Sequence, residues 1–267
     1  MKRLSGEEIK KREFQILLYF RDFCKDHHLR FSLAGGTLLG AIRHKGFIPW
    51  DDDIDVCMPR SDYQRFIKEY SAEQSKYMLV SNQCGNLNVP YSALRDQETV
   101  VKSQFSEITS SLWIDIFPVD GLPDNMEKIK QIYHNVFRYR TVLMLNSCRL
   151  GEGRTVLRKY SKFILKPLAK LYGVRRCIQN MERLALQYPY DQAKFVGAIT
   201  WGLHGMGEKM LKSEFEKMIE VDFEGEKFPA FSCWDSYLTG LYGDYMKLPP
   251  IEERRTHDMV VYLKEGS

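Results

Sequence analysis

Four of the five residues from Asp51 to Asp55 are aspartates, with only Ile54 between Asp53 and Asp55. Carboxylates this close repel one another, and a fold that gathers them must set cations or water against that repulsion. Ile54 and Val56 flank Asp55, so the segment reads as the start of a half-buried strand with period-two alternation, running to about Met58. In such a strand Asp51, Asp53 and Asp55 share one face, and Asp52 points away as a structural residue. Three hard oxygen ligands on one face suit Mg²⁺ or Mn²⁺. A calcium loop of the EF-hand type does not fit, because the positions that need Gly and Glu hold Val56 and Asp62.

Upstream lies Gly35-Gly36-Thr37, entered from a short strand, Phe31 to Ala34, and followed by an expected helix from Leu38 to His44. By itself a Gly-Gly-Thr stretch is a tight turn. Ahead of a helix, its free N–H groups also make a phosphate cradle. Cradle and metal together would hold a nucleoside diphosphate. Arg43, His44 and Lys45 sit between the turn and the acids, either as a solvated basic loop or as neutralisers of that diphosphate. Trp50 reads first as a core plug and second as a stacking platform for a base. Asp115 stands alone in the apolar run Leu112 to Pro118, a strand by its pattern. A lone buried carboxylate is costly, and a shared metal offsets that cost. Near the C-terminus, Arg254, Arg255 and His257 are a substrate-contact set or an ordinary tail.

At 267 residues and 44% hydrophobic, the chain can bury a core as one domain or a tightly joined pair. No run of eighteen apolar residues predicts a transmembrane helix, and acids interrupt what would be the apolar part of a signal peptide. Six scattered cysteines without a Cys-x-x-Cys pair read as reduced thiols. A cytoplasmic protein is expected, with a peripheral place on the inner membrane face as an option. The net charge of +4 hides an asymmetry: residues 124–183 carry fourteen Lys or Arg and four Asp or Glu, leaving 25 basic against 31 acidic residues elsewhere. Such a segment attracts polyanions or an anionic membrane surface.

Periodicity predicts a first helix from about Ser5 to His27 and another from Arg60 to about Tyr70, with Ser61 or Asp62 as its cap. Short strands are expected over 77–104. The basic segment, 125–187, reads as two or three amphipathic helices interrupted near Gly151-Gly153, Pro167 and Gly173. The last quarter mixes a helix at about Ser213–Ile219, a Phe/Gly/Pro-rich stretch and a helix near Ser236–Tyr242. His204 is read as structural.

The stretch from Leu33 through Gly35-Gly36-Thr37 and Arg43-His44-Lys45-Gly46-Phe47-Ile48-Pro49-Trp50 to Asp55 closely resembles the signature of the LicD family, phosphorylcholine and phospho-alditol transferases with fukutin-type relatives. Trp113 to Asp120 resembles the family's second block. Tyr242 to Pro250, with Arg254 or Arg255 and then His257, resembles its C-terminal block. The basic middle matches least. The resemblance implies a nucleotidyltransferase fold of the α/β (α+β) class, a small mixed sheet flanked by helices. The chain is expected to divide into a nucleotidyltransferase-like core at 1–124, a basic helical insert at 125–190 and a C-terminal segment at 191–267 that completes the site.

The same resemblance places Asp53, Asp55 and Asp115 as metal ligands and catalytic residues, with Asp115 as ligand or proton acceptor and Asp51 in the outer shell. Gly35, Gly36, Thr37, Arg43, His44, Lys45, Trp50, Asp51, Arg255 and His257 become substrate contacts. The expected partners are a CDP-activated donor and a glycan or lipid-linked glycan acceptor. The insert ending in Trp50 speaks against a polymerase, so no nucleic acid is expected. A sugar-nucleotide glycosyltransferase and an inactive nucleotide- or membrane-binding protein are the competing readings.

Overall fold

The computed structural model describes residues 1–70, 75–103, 109–151, 155–254 and 259–264. A short strand β1 (Lys2–Arg3) leads into helix α1 (Gly6–Asp26), which buries Ile9, Ile16, Leu17, Phe20 and Phe23 along one stripe. Ser5 caps it: its Oγ accepts from the Glu8 N–H at 3.2 Å, and the Glu8 carboxylate accepts from the Ser5 N–H at 2.8 Å. That exchange satisfies two end groups at once. Then come β2 (Ser32–Leu33), α2 (Gly35–His44), β3 (Asp55–Pro59) and α3 (Arg60–Tyr70). Strands β4 (Tyr77–Ser81), β5 (Ser92–Asp96), β6 (Thr99–Ser103) and the long β7 (Trp113–Leu122) follow.

The basic segment forms three helices, α4 (Met126–Ser147), α5 (Val156–Tyr172) and α6 (Val174–Ala185). The chain continues through β8 (Phe195–Gly197), β9 (Met210–Leu211) and the short α7 (Lys212–Phe215). The hairpin β10 (Met218–Phe223) and β11 (Glu226–Phe231), helix α8 (Trp234–Tyr242) and strand β12 (Met259–Leu263) complete it.

The central sheet runs β2-β3-β7-β5-β4, and β8 joins the far half of β7 with β9 beyond it. Only β3 and β7 pair in parallel within this sheet. A parallel pair is buried on both faces and therefore apolar on both. Val56, Cys57, Met58, Ile114, Ile116 and Val119 are accordingly buried. Asp55 and Asp115 are the polar exceptions, side by side near the start of the two strands. The result is a mixed α/β fold. Its main core packs α1, α2, α3, α8 and the hairpin on the sheet, and a second cluster joins α4 and α6 to the β7–β8 end.

Several expectations change. The strand begins at Asp55, while Asp51 to Ile54 are irregular chain, so alternation does not sort Asp51, Asp52 and Asp53 by face. A turn, with the Asp51 N–H donating to the Ile48 carbonyl at 3.0 Å, delivers the acids instead. The glycines belong to α2, which starts at Gly35 rather than Leu38. Pro167 lies inside α5 without ending it. The helix expected to reach Ile219 stops at Phe215, and Ile219 falls in β10, where Val221 and Phe223 alternate into the core. The Phe/Gly/Pro-rich stretch is a hairpin that turns at Glu224 and Gly225, with φ of 52° and 81°, a left-handed pair that two-residue hairpins require.

Candidate active site

Two hydrogen bonds hold the start of β3 against the start of α2. The Ala34 N–H donates to the Asp55 carbonyl at 3.0 Å, and the Asp55 N–H donates to Thr37 Oγ1 at 2.8 Å. Gly35 takes φ of +51°, and its N–H donates to the Tyr237 hydroxyl at 3.3 Å. A side chain at Gly35 would place its Cβ 3.0 Å from Asp55 Oδ2, and one at Gly36 would stand 2.6 Å from Asp51 Oδ2. The two glycines therefore leave room for two carboxylates at a helix N-terminus, whose partial positive charge favours them.

Asp115 pairs in register with Asp55 across the parallel strands, and its N–H donates to the Ile54 carbonyl at 2.9 Å. Burial, then Asp53, Asp115, Asp51 and Glu208, push the Asp55 carboxyl well above the usual carboxylate range. The four sequence-identified acids thus share one electrostatic neighbourhood. Among the described residues, no three His, Cys, Asp or Glu side chains lie close enough as they stand to hold a metal ion.

The basic rim is divided. Arg43 donates from Nε to His44 Nε2 at 2.9 Å and from its terminal nitrogen to the Tyr245 carbonyl at 2.5 Å. Burial and the neighbouring Arg254 lower its pKa, and burial and Arg43 lower that of His44. The Arg254 guanidinium lies 4.3 Å from the Trp50 ring centre, and its Nε donates to the Pro249 carbonyl at 3.1 Å. Trp50 is therefore both a partly buried flank of the core and a platform already stacked by an arginine. A cleft of about 290 Å³ lies beside it, bordered by Asp51, Asp52, Lys10 and the edge of β12. Lys45 is exposed and closes α2 in a left-handed conformation; its carbonyl accepts from the Glu224 N–H at 3.0 Å, and its charge acts on Asp222. Arg255 and His257 lie outside the described residues.

Several groups at the site carried little sequence signal. Glu13 of α1 is 1% exposed, and its Oε2 has no hydrogen-bond partner. Burial and then Asp53, Asp52 and Asp51 raise its pKa well above the usual carboxylate range. Its place four residues after Ile9, on the apolar stripe, was the available clue. Glu208 accepts from the His204 N–H at 3.3 Å, and burial lifts its pKa to about 7. Arg95 of β5 is partly buried, with the Asp115 charge acting on it and its Nε unpaired.

Aromatic rings flank the acids. Tyr91 packs on Phe117 and Trp201 at 4.8 and 5.0 Å between ring centres, and the Arg140 guanidinium lies 5.7 Å from the Trp201 ring. His204, read as structural, meets the Tyr242 ring edge-on at 5.2 Å. Asp120 of the second block has a structural role, with its two oxygens accepting from Arg60 at 2.6 Å each.

Residues 28–152 match the family model described as LicD/FKTN/FKRP, nucleotidyltransferase domain. The lipopolysaccharide cholinephosphotransferase LicD of Haemophilus influenzae is 34% identical over 266 residues, which cover 96% of this chain and 97% of that protein. This chain belongs to the LicD family. Uncharacterized proteins of Rickettsia prowazekii and Rickettsia typhi are similar over shorter stretches, 32% identical over 68 residues and 34% over 53. Those matches span 26% and 17% of the Rickettsia proteins. The Haemophilus match runs through the basic helices as well as the acidic blocks, although the helices carry the weakest motif signal.

Proposed function

We propose that this LicD-family chain is a phosphotransferase that moves phosphocholine, or a related phospho-alditol group, from a CDP-activated donor to a hydroxyl of a cell-surface glycan. A lipopolysaccharide precursor is the first acceptor to test, ahead of teichoic acid or capsule. The observation that carries the reading is the in-register pair Asp55 and Asp115, with Asp55 set against Gly35 and Asp51 against Gly36. The name of the Haemophilus relative supports the transferred group and the acceptor.

In this reaction the acceptor oxygen attacks the phosphorus that bears choline, the bond to the bridging oxygen breaks, and CMP leaves with that oxygen. Such transfers ask the protein mainly for in-line positioning and for neutralisation of developing charge. Asp53, Asp55 and Asp115 fit a hard divalent cation: they are oxygen donors, and burial and mutual repulsion penalise Asp55 when it is ionised without one. Mg²⁺ or Mn²⁺ held there would supply positive charge against the charge that develops as CMP leaves.

The chain's own groups do the rest. Gly36 and Thr37, at the N-terminus of α2, favour the phosphate charge. Arg43 and Arg254 bring positive charge to the rim beside Trp50, and Arg95 brings it to Asp115. Asp115 would complete the cation's ligands or accept the acceptor's proton. Tyr91 and Tyr242 bring rings to the carboxylates, with Trp201 packed on Tyr91, a surrounding that attracts a quaternary ammonium.

The test is a donor screen with purified protein, Mg²⁺ and a glycan acceptor. CMP release and phosphocholine transfer from CDP-choline are expected, and sugar transfer from a UDP-sugar would overturn the reading.

A further inference from the structure

Helix α5 turns its apolar side outward. Tyr160, Phe163, Ile164, Leu165, Leu168 and Leu171 are 43–84% exposed, with Leu171 the most open. Residues 160, 164, 168 and 171 recur at helical spacing and form one stripe. At 1.5 Å per residue the stretch from Tyr160 to Leu171 gives a ridge about 18 Å long.

The lysine at the middle of the helix points the other way. Lys166 is 4% exposed, and its Nζ donates to the Cys148 carbonyl at 2.6 Å, beneath the helix. A solvated amphipathic helix has the reverse arrangement, with lysine out and leucine in. A contiguous apolar strip of this kind marks a contact surface.

Charge selects the contact. Lys170 is exposed beside the apolar face, Arg175 and Arg176 follow at the exposed start of α6, and the surrounding segment holds fourteen basic against four acidic residues. No helix among the described residues is long and apolar enough to cross a membrane. An apolar ridge with a basic border and no capacity to span fits the surface of an anionic bilayer, with the side chains entering the acyl boundary and the cations at the headgroups.

We propose that α5 is an interfacial anchor that lays the protein on an anionic membrane. The ridge, rather than net charge alone, provides the attachment. This goes beyond the transfer chemistry and does not depend on it. A lipid-linked glycan acceptor would then meet the enzyme in two dimensions.

The test is co-sedimentation of the full chain with vesicles of phosphatidylglycerol and phosphatidylcholine, compared with phosphatidylcholine alone. Wild-type protein should bind the anionic vesicles and partially survive high salt, because the apolar share of binding is not screened. A variant with Ile164→Gln, Leu168→Gln and Leu171→Gln should partition about tenfold or more weakly while keeping its melting temperature and its turnover of soluble donor. Equal binding by the variant, or no binding of the wild type to anionic vesicles at low salt, would overturn the proposal. So would a self-associated state in gel filtration that the same substitutions abolish, since a second copy would then cover the ridge.

Discussion

The Asp55 N–H donates to the Thr37 hydroxyl at 2.8 Å, so the first residue of β3 is tied to the first turn of α2 through a side chain that is 4% exposed. Thr37→Val removes that acceptor and leaves a buried N–H unpaired, a loss of about 1–3 kcal/mol. Thermal unfolding should show a lower Tm, and turnover should fall with it. Thr37→Ser should restore most of both; a valine variant with wild-type Tm and turnover would mean that the bond does not set the site.

Gly36→Ala separates stability from activity. An alanine Cβ would stand 2.6 Å from Asp51 Oδ2, so the carboxylate must move. Helix propensity alone favours alanine over glycine by up to about 1 kcal/mol. A displaced carboxylate should lower kcat by about tenfold to a hundredfold with an unchanged far-ultraviolet circular dichroism spectrum.

Tyr91 tests the choice of donor. Its ring packs on Phe117 and Trp201 with Asp115 and Asp55 nearby. If rings hold the quaternary ammonium, Tyr91→Leu should reduce kcat/KM for CDP-choline relative to CDP-ribitol by about threefold to thirtyfold. Tyr91→Phe should keep the ratio near that of the wild type. Comparing two donors on one variant cancels any general damage to the fold.

Glu208 makes a prediction about pH. Burial lifts its carboxyl from 4.5 to about 7, so the folded chain keeps a proton that the unfolded chain has already lost. Where the folded state binds more protons, stability falls as pH rises. This contribution is fully present below the unfolded value of 4.5 and is lost as pH rises through about 7. Asp55 and Glu13 shift in the same direction. Without divalent cation, the urea midpoint should therefore drop between about pH 5 and pH 8, and Glu208→Gln should flatten that slope.

Much of the site was legible because its signals are local. A glycine pair before a helix, acids before a strand and one aspartate in an apolar strand all announce themselves within a few residues. The structure brings Asp55 and Asp115 into register from sixty residues apart, as a shared strand pair requires. Glu208 and Arg95 were not legible, because each looks ordinary in its own window and becomes unusual only by tertiary burial, and Glu13 offered only its place on the apolar stripe of α1. The same limit explains Asp51 to Asp53: alternation describes strands, and that stretch reaches the site as irregular chain. The hairpin β10–β11 was obscured because Glu224, a residue that rarely adopts positive φ, occupies its turn at +52°. The outward face of α5 follows from which side α4 and α6 cover, which composition does not record.

The central claim is that the acids around Asp55 are the catalytic centre of a metal-dependent transferase. The most direct measurement is phosphocholine transfer from CDP-choline by a variant carrying Asp53→Asn and Asp55→Asn, with Mg²⁺ present and folding checked by thermal unfolding. Removing two crowded charges should leave Tm equal or raised, since burial and the neighbouring acids disfavour ionised Asp55. Transfer by this folded variant should fall to background. Wild-type transfer would contradict the account.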